Sequence, residues 1–281
     1  MKIKAFRKTK EGEYELNRLV FDVKPWWFVP RNVVNPTHPE QILMGASSVS
    51  NQVQFQTLEE GAFEGFYLTC QRADVCLVEL FDDHAKRGIT GRPCHVDTIM
   101  GDGQRPFILP ESVFLLRRQS LLFKATDISG GGNNIRPIIT GQRVNPERVN
   151  SKELREWIED RRARRLFMMP FMCPLDQDVS LTAGQERDYY YTQEDLSNFE
   201  IKKLTYVSTG AFKFKIKDET GTVLTENWLY STAILGTAQF PFLLPTPWFV
   251  KAGGMLTFTI KDLSAAPNDV YLTLSGRATF V

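Results

Sequence analysis

The chain has 281 residues, of which 42% are hydrophobic and 24% charged, and its formal net charge at pH 7 is +1. This length suits two domains with separate cores, and so small a net charge creates no field that would favour nucleic acid or an anionic membrane. We expect no membrane-spanning helix and no signal peptide, because no apolar run approaches the roughly 20 residues of a span and the N-terminus lacks an apolar segment.

The beginning of the chain is predicted to form an extended arm, residues 1–44. The segment Pro25–Pro30 encloses three adjacent aromatic residues, which cannot all face one core from a regular strand because side chains alternate. Proline also disfavours a central strand position. We expect the arm to pack on its own domain or on a neighbouring subunit. Its first ten residues include five basic ones that could touch nucleic acid, but a solvated terminus is the favoured interpretation.

Two blocks of the chain share an ordered series of residues. Gln104–Pro110 (QRPFILP) returns as Gln239–Pro245 (QFPFLLP), an offset of 135 residues (239 minus 104). From residue 99 onwards the matching pairs keep this offset, and before residue 99 the offset is larger by one residue. The pairs are Phe63-Glu64 and Phe199-Glu200, Leu68-Thr69 and Leu204-Thr205, Asp82 and Asp218, Ile99 and Ile234, Phe114 and Phe249, Leu121 and Leu256, Phe123 and Phe258, Asp127 and Asp262, Asn133 and Asn268, Gly141 and Gly276. The period exceeds that of common solenoid repeats, so each copy is predicted to be a whole domain.

The pattern inside each copy is that of β-strands. Hydrophobic residues alternate with lysines in the segment 212–217, which predicts a strand with one buried and one solvated face. Both copies are predicted to close with short strands, near 135–139 and 270–274, and Pro137 indicates an edge position for the first of these. Several short strands between turn residues predict a sandwich, and about eight strands per copy fit a jelly roll.

One segment between the copies is predicted to be helical. Asn150 can cap it, with Glu153 reaching back as in a capping box. Its expected features are an apolar stripe and two i,i+4 ion pairs: Leu154, Trp157 and Ile158, then Arg155–Glu159 and Asp160–Arg164. The basic end, 161–165, complements the helix C-terminus, and a docked linker is favoured over a nucleic-acid-binding helix. Residues 166–172 are predicted to enter the second domain as its first strand, and Tyr189–Tyr191 to match Gln54–Gln56.

The predicted fold is therefore all-β, with two tandem antiparallel β-sandwich (jelly-roll-like) domains related by internal duplication and joined by a short helix. The predicted boundaries are 1–44 for the N-terminal arm, 45–148 for the first sandwich, 149–166 for the linker helix and 167–281 for the second sandwich.

The sequence offers no set of residues for catalysis. Its three histidines, His38, His84 and His95, have no counterparts in the other copy, and no nucleophile elbow, P-loop or dinucleotide motif is found. The four cysteines are predicted to be buried thiols of a protein made in a reducing cytosol: Cys70, Cys76, Cys94 and Cys173. We expect no enzyme activity, no catalytic or cofactor-binding residue and no metal ligand.

The repeated acidic residues leave one alternative open. A calcium site could use Asp82, Asp218, Asp127 or Asp262, but calcium needs several converging oxygens, and aspartates at turns bond their own backbone. The turn role is favoured. The repeated Gln104 and Gln239 are predicted to fix the proline-bounded bends through side-chain hydrogen bonds.

Three blocks of the first copy, at 99–111, 123–129 and 139–143, resemble bacteriophage virion proteins of unassigned role. Those proteins carry similar Pro-Phe-x-Leu-Pro, Asp-Leu-Ser and terminal Gly-x-Arg blocks. The second copy is similar to the same pattern at 236–246, 262–264 and 276–277. The first 40 residues lie outside the resemblance.

The resemblance implies a capsid-associated structural component of a bacteriophage virion: a minor capsid, decoration, or neck and collar protein that acts by protein–protein assembly. It implies a homo-oligomer, contacts with capsid, portal or neck proteins, no membrane partner, and a place in the virion after synthesis in the host cytoplasm. One alternative is a double-jelly-roll major capsid protein.

An alternative of another class is a carbohydrate- or receptor-binding β-sandwich protein. Four tryptophans could stack on sugars in that case: Trp26, Trp27, Trp228 and Trp248. Fold alone does not decide function, and Trp248 aligns with Val113 beside the bend, which favours burial.

Overall fold

The computed structural model describes residues 23–28, 42–46, 53–56, 62–116, 118–144, 152–194 and 196–280. The first sandwich is built from β1 (Val23–Phe28), β2 (Ile42–Met44), β3 (Val53–Gln56), β4 (Ala62–Arg72), β5 (Cys76–Asp82), β6 (Arg87–Gly88), β7 (Cys94–His95), α1 (Val96–Ile99), β8 (Phe107–Leu115), β9 (Ser120–Asp127) and β10 (Asn133–Val144). Helix α2 (Lys152–Phe167) follows. The second sandwich is built from β11 (Met168–Pro174), β12 (Val179–Leu181), β13 (Glu186–Thr192), β14 (Ser197–Ser208), β15 (Phe212–Lys217), β16 (Leu229–Tyr230), α3 (Ser231–Ile234), β17 (Phe242–Val250), β18 (Met255–Asp262) and β19 (Asn268–Phe280).

The two sandwiches have the same strand order. In the first, one sheet runs β1-β10-β4-β8, with β2 also on β10, and the other runs β3-β9-β5-β6. In the second, the sheets run β11-β19-β14-β17, with β12 also on β19, and β13-β18-β15-β16. β7 also pairs with β5 in the first sandwich. When β1 with β2, β11 with β12, and β6 with β7 are each counted as one interrupted strand, both copies read 1-8-3-6 and 2-7-4-5, which is the order of a jelly roll. The predicted all-β fold of two duplicated antiparallel sandwiches is confirmed.

Alternating side chains build the cores. Buried residues alternate with half-exposed ones along β5, β15 and β18, so each strand turns one face to the opposite sheet. Phe55 packs edge-on against Phe123 in the first sandwich, with ring centroids 6.1 Å apart. Phe171 packs edge-on against Phe199 in the second, at 5.0 Å. Burial of such a ring contributes roughly 1.5–3 kcal/mol.

The boundary of the predicted arm is wrong. β1 pairs with β10 so that Trp26 lies opposite Gly141, as Phe171 of β11 lies opposite Gly276. β2 also pairs with β10, so the residues 23–28 and 42–44 belong to the first sandwich. Pro25 is tolerated because β1 is an edge strand. The basic start of the arm lies outside the described residues.

The predicted edge position of Pro137 is also wrong, because β10 lies between two neighbours in its sheet. Pro137 is paired with Cys70, whose backbone N–H donates to the Gly101 carbonyl oxygen on the far side of β4. The Pro137–Cys70 pair is therefore a non-hydrogen-bonded one, and the proline nitrogen faces away from β4. On that side, β2 pairs up to Ile135 and β1 pairs from Ile139. No described strand therefore places a carbonyl group where it would need an N–H donor from residue 137.

The proposed match of Tyr189–Tyr191 with Gln54–Gln56 is wrong by one residue. Phe55 lies opposite Leu121, whereas Tyr191 lies opposite the equivalent Leu256. Tyr191 therefore replaces Phe55 in the core, and both side chains are buried.

Helix α2 confirms the predicted linker in position. Ile158 is buried, and Arg164 Nε lies 3.0 Å from Asp160 Oδ2, the predicted i,i+4 pair. The predicted cap Asn150 lies outside the described residues, as do the side chains of the remaining stripe and pair residues: Glu153, Leu154, Arg155 and Trp157. Residues 168–174 form the first strand of the second sandwich, as predicted. None of the described helices is long and apolar enough to cross a membrane.

Repeated glycines allow equivalent close backbone contacts in both copies. A Cβ at Gly141 would lie 1.9 Å from the Glu64 carbonyl oxygen, and one at Gly276 would lie 1.9 Å from that of Glu200. The pairing register shifts beside each glycine. In the first copy the shift lies between Thr140 and Gly141, and in the second it lies between Ile201, which is opposite Gly276, and Lys203. The duplication has therefore kept the glycine because the bulge leaves no space for a side chain.

Replacing Gly141 by alanine should lower the free energy of unfolding by about 2–3 kcal/mol, because the new methyl group displaces the β4 backbone. Chemical denaturation measures this. Gly103→Ala is the control, since nothing lies within 4 Å of a Cβ there, and it should change stability little. Equal effects of the two substitutions would contradict a tight bulge.

Candidate functional site

The repeated aspartates hold turns. Asp82 Oδ1 accepts hydrogen bonds from the backbone N–H groups of His84 and Ala85, both at 3.0 Å. Its counterpart Asp218 accepts from the N–H groups of Thr220 and Thr222, both at 2.9 Å. These bonds satisfy N–H groups of the turn.

The second repeated pair does the same at the following turn. Asp127 accepts from the Ser129 hydroxyl at 2.7 Å, and Asp262 accepts from the Ser264 hydroxyl at 2.8 Å. Burial opposes ionisation of Asp262, but hydrogen bonds from Gly184, Asn268 and Ser264 outweigh it and hold its pKa below the ordinary value. Among the described residues, no group of three His, Cys, Asp or Glu side chains is placed to hold a metal ion.

A glutamate at each bulge, buried in the case of Glu64 and half-buried in the case of Glu200, is a repeated feature whose role the sequence did not predict. Glu64 accepts from the Ser112 hydroxyl at 2.7 Å and from Gln142 Nε2 at 2.9 Å, and its Oε1 lies 3.1 Å from Arg161 Nε of helix α2. Glu200 instead pairs with Arg277 of its own sheet. The first glutamate thus anchors α2 to the first sandwich. The repeat of Phe-Glu was visible in the sequence, but its ion-pair partners were not.

The two sandwiches meet along a seam, which we define as the contact of β7, β8 and α1 with β11, β14 and β19. Its backbone hydrogen bonds form a short parallel bridge beside Thr90. Gly91 N–H donates to the Met172 carbonyl oxygen, and Met172 N–H donates to that of Ile89, both at 2.9 Å. One continuous cluster of buried apolar residues extends through both sandwiches, so the two domains form one unit.

Three buried threonines occupy the centre of the seam. The hydroxyl groups of Thr98 and Thr273 lie 2.7 Å apart, and the Thr205 hydroxyl donates to the Thr98 carbonyl oxygen at 2.7 Å. Nearby, Ala238 N–H donates to the Asp97 carbonyl oxygen at 3.0 Å. Because buried polar groups are costly unless paired, these bonds fix how the sandwiches sit against each other.

Lys203 is buried beside the threonines. Its ammonium group donates to the Ile108 carbonyl oxygen and lies 5.2 Å from the centroid of the Phe107 ring. Burial, together with the neighbouring charge of Lys202, lowers the pKa of Lys203 to about 8.

The two proline-bounded bends touch each other. The predicted role of Gln104 is wrong, because Asp102 holds its bend, whereas Gln239 does form a side-chain hydrogen bond, but to the bend of the other copy. Asp102 Oδ1 holds the first bend, accepting from the N–H groups of Gln104 and Arg105 at 2.9 and 2.7 Å. Gln239 Nε2 instead donates across the seam to Asp102 Oδ2 at 3.0 Å. The Arg105 guanidinium lies 4.2 Å from the centroid of the Phe240 ring. Asp102 takes this role because an aspartate side chain can accept from the N–H groups two and three residues after it.

Among the described residues, the histidines and cysteines are not brought together as a reactive set. His95 is buried, its ring lies 4.6 Å from that of Tyr271, and burial lowers its pKa to about 4. His84 is exposed, and His38 lies outside the described residues. All four cysteines are free thiols, three of them buried, and burial raises the pKa of Cys76 and Cys173 to about 12. Neutral thiols of this kind are poor nucleophiles.

The described tryptophans do not form an open platform. The ammonium groups of Lys213 and Lys215 lie 5.0 and 4.8 Å from the Trp228 ring. Trp248 is half-buried on β17. The side chains of Trp26 and Trp27 lie outside the described residues.

Thr205→Val should destabilise the protein by about 1–2 kcal/mol, because valine keeps the volume but cannot donate to the Thr98 carbonyl oxygen. Thr257→Val, on the half-exposed face of β18, is the control and should stay within about 0.5 kcal/mol of wild type. Urea unfolding measures both. An equal, small effect at both positions would show that the hydroxyl bond does not stabilise the seam.

Lys203 should make stability rise with pH. Between its folded pKa of about 8 and its unfolded value of 10.5, the unfolded state binds more protons, so the free energy of unfolding increases over this window. Lys203→Met removes this contribution. The unfolding free energy of wild type minus that of the variant should therefore increase from pH 8 to pH 10.5. A difference that stays constant over this range would mean that the lysine is not desolvated.

Comparisons with known proteins do not assign the chain to a family. No protein-family model matches it, and no curated protein sequence is similar to it. Among solved structures, it is similar to PBCV-1 VP54, as fitted into a reconstruction of the virophage Sputnik, with 7% identity, 91% of this chain and 93% of that chain covered, and a TM-score of 0.39. It is also similar to VP2 of an infectious bursal disease virus subviral particle, with 9% identity, 92% of this chain and 71% of that chain covered, and a TM-score of 0.23. A third similar structure is the PBSX exported protein XepA, with 10% identity, 90% of this chain and 86% of that chain covered, and a TM-score of 0.20. Similarity this low carries no argument about function, and the jelly-roll assignment follows from strand order alone.

Proposed function

We propose that this chain is a capsid-associated structural component of a bacteriophage virion, a minor capsid, decoration, or neck and collar protein that acts by protein–protein assembly. The observation that carries the proposal is the seam. It joins two duplicated jelly rolls into one unit through paired buried groups such as Thr98 and Thr273. A unit of this kind presents fixed outer faces, which repeated assembly requires.

The roles of the repeated residues support the same proposal. Asp82 and Asp218 hold turns, Gly141 and Gly276 permit bulges, and other repeated residues fill the cores. The duplication has preserved architecture at these positions. The resemblance of both copies to phage virion proteins agrees with this use of the repeated residues.

The major capsid alternative is favoured by one observation. The two sandwiches have equal strand order and lie side by side across the seam, an arrangement in which the protein itself could tile a shell. The sugar-binding alternative is less favoured, because lysine side chains lie over Trp228 and Trp248 is half-buried.

Quantitative mass spectrometry of purified particles tests the proposal. We expect a few to some hundred copies beside a more abundant protein, with low counts indicating the neck. Dominance by mass would replace the proposal by the major capsid alternative. Absence from particles would overturn both, and a change of tryptophan fluorescence on adding glycans would then support sugar binding.

A further inference from the structure

Equivalent positions of the two sandwiches differ sharply in exposure at one face. Ile89, His95 and Phe114 of the first sandwich are buried. Their counterparts in the second sandwich, Leu224, Tyr230 and Phe249, are 40%, 56% and 62% exposed. We call these three residues the open edge face.

The pairing of backbone groups establishes this equivalence. Ile89 N–H donates to the Leu80 carbonyl oxygen, and Leu224 N–H donates to that of Ile216, at 2.9 and 2.8 Å. Similarly, His95 lies opposite Leu77 and Tyr230 opposite Lys213, each on the corresponding strand. Phe114 faces Glu64, and Phe249 faces the repeated Glu200.

The second sandwich, together with helix α2 beside β8, covers this face in the first. Ile89 bonds to Met172 of β11, His95 stacks on Tyr271 of β19, and β8, which carries Phe114, packs against β11 and α2. The open edge face therefore has the shape and position of a face that binds a jelly-roll sheet, but its own partner is not part of the described chain.

The complementary face shows the reverse pattern. Lys203, Thr205 and Thr273 of the second sandwich are buried against the first. By register, Lys203 lies opposite Ser275 and Thr205 opposite Thr273, just as Tyr67 lies opposite Thr140 and Thr69 opposite Ile138. The counterparts in the first sandwich are thus Tyr67, Thr69 and Ile138. Tyr67 is 37% exposed and the other two are half-exposed. We call these three residues the open sheet face.

We propose that a second copy of this chain places its open sheet face on the open edge face, repeating between molecules the contact that the seam makes within one. This inference names the partner in the assembly role proposed above and rests on that role. The occupant is chosen because the chain already binds one face of this type with a sheet of this type. Apolar side chains on both open faces, Phe249 and Ile138 among them, favour such a contact.

The proposed contact is head to tail, because the two faces differ and lie on different sandwiches. Each copy then donates one face and accepts on the other. Contacts of this type close into a ring when the rotation allows it and otherwise extend as a filament.

Two surface variants and a control test the proposal by analytical ultracentrifugation of the purified full chain. Phe249→Lys should weaken self-association by roughly 100-fold because it places a charge in the contact. Ile138→Lys should do the same from the other side. Leu263→Lys is the control: Leu263 is an exposed leucine of the second sandwich, and its counterpart Ile128 stays half-exposed despite the seam. It should assemble like wild type.

Mixing the two defective variants gives the sharpest readout. Each lacks a different face, so one intact pair of faces remains, and an equimolar mixture should form a dimer with one copy of each variant and nothing larger. Failure of the mixture to form this dimer would overturn the head-to-tail contact, as would unchanged assembly of Phe249→Lys. If circular dichroism shows that either variant is unfolded, Tyr230→Lys and Thr69→Arg replace them on the same faces.

The result also separates this inference from the proposed function. A wild-type protein that is monomeric in solution yet present in particles overturns self-association and leaves the virion role. A protein that assembles as described but is absent from particles supports the contact and overturns the virion role.

Discussion

The arrangement of the two sandwiches depends on the requirement that buried polar groups be paired. The seam buries the threonine hydroxyls and the Lys203 ammonium group, each of which costs free energy unless it finds a partner. The Thr98–Thr273 and Thr205–Thr98 bonds satisfy that requirement in one relative position of the domains. A slip along the seam would leave these groups unpaired. Burial of apolar side chains therefore stabilises the contact, and the polar groups determine the relative position of the two sandwiches.

The same requirement explains which residues the duplication kept. Both copies retain a carboxylate at each of two turns, a glycine at the bulge and a glutamate beside it. The partner of that glutamate has changed, from Arg161 of α2 to Arg277 of the sheet. Backbone geometry has been kept while the ion-pair partner of this glutamate has diverged.

The sequence predicted the fold well where one strand alone carries the signal. Alternation in β15, the repeated bend and the helix after residue 150 were all readable, because period and turn chemistry are local. β1 was missed, since its match to β11 keeps little beyond Pro25 and Pro170 and falls outside the common offset. The seam could not be predicted. Thr205 and Thr69 match in sequence, and only the packing of one sandwich on the other makes their environments differ.

Joining the sandwiches in one chain has a consequence for concentration. The contact across the seam is intramolecular, so it forms at the high effective concentration set by the connecting helix and does not weaken on dilution. If the sandwiches were separate, identical chains, every contact between them would use the same pair of faces, and a substitution in either face would change all of these contacts alike. Within a single polypeptide the two versions of each face can change independently. The contact within the chain can then be permanent, while a contact between chains still depends on protein concentration.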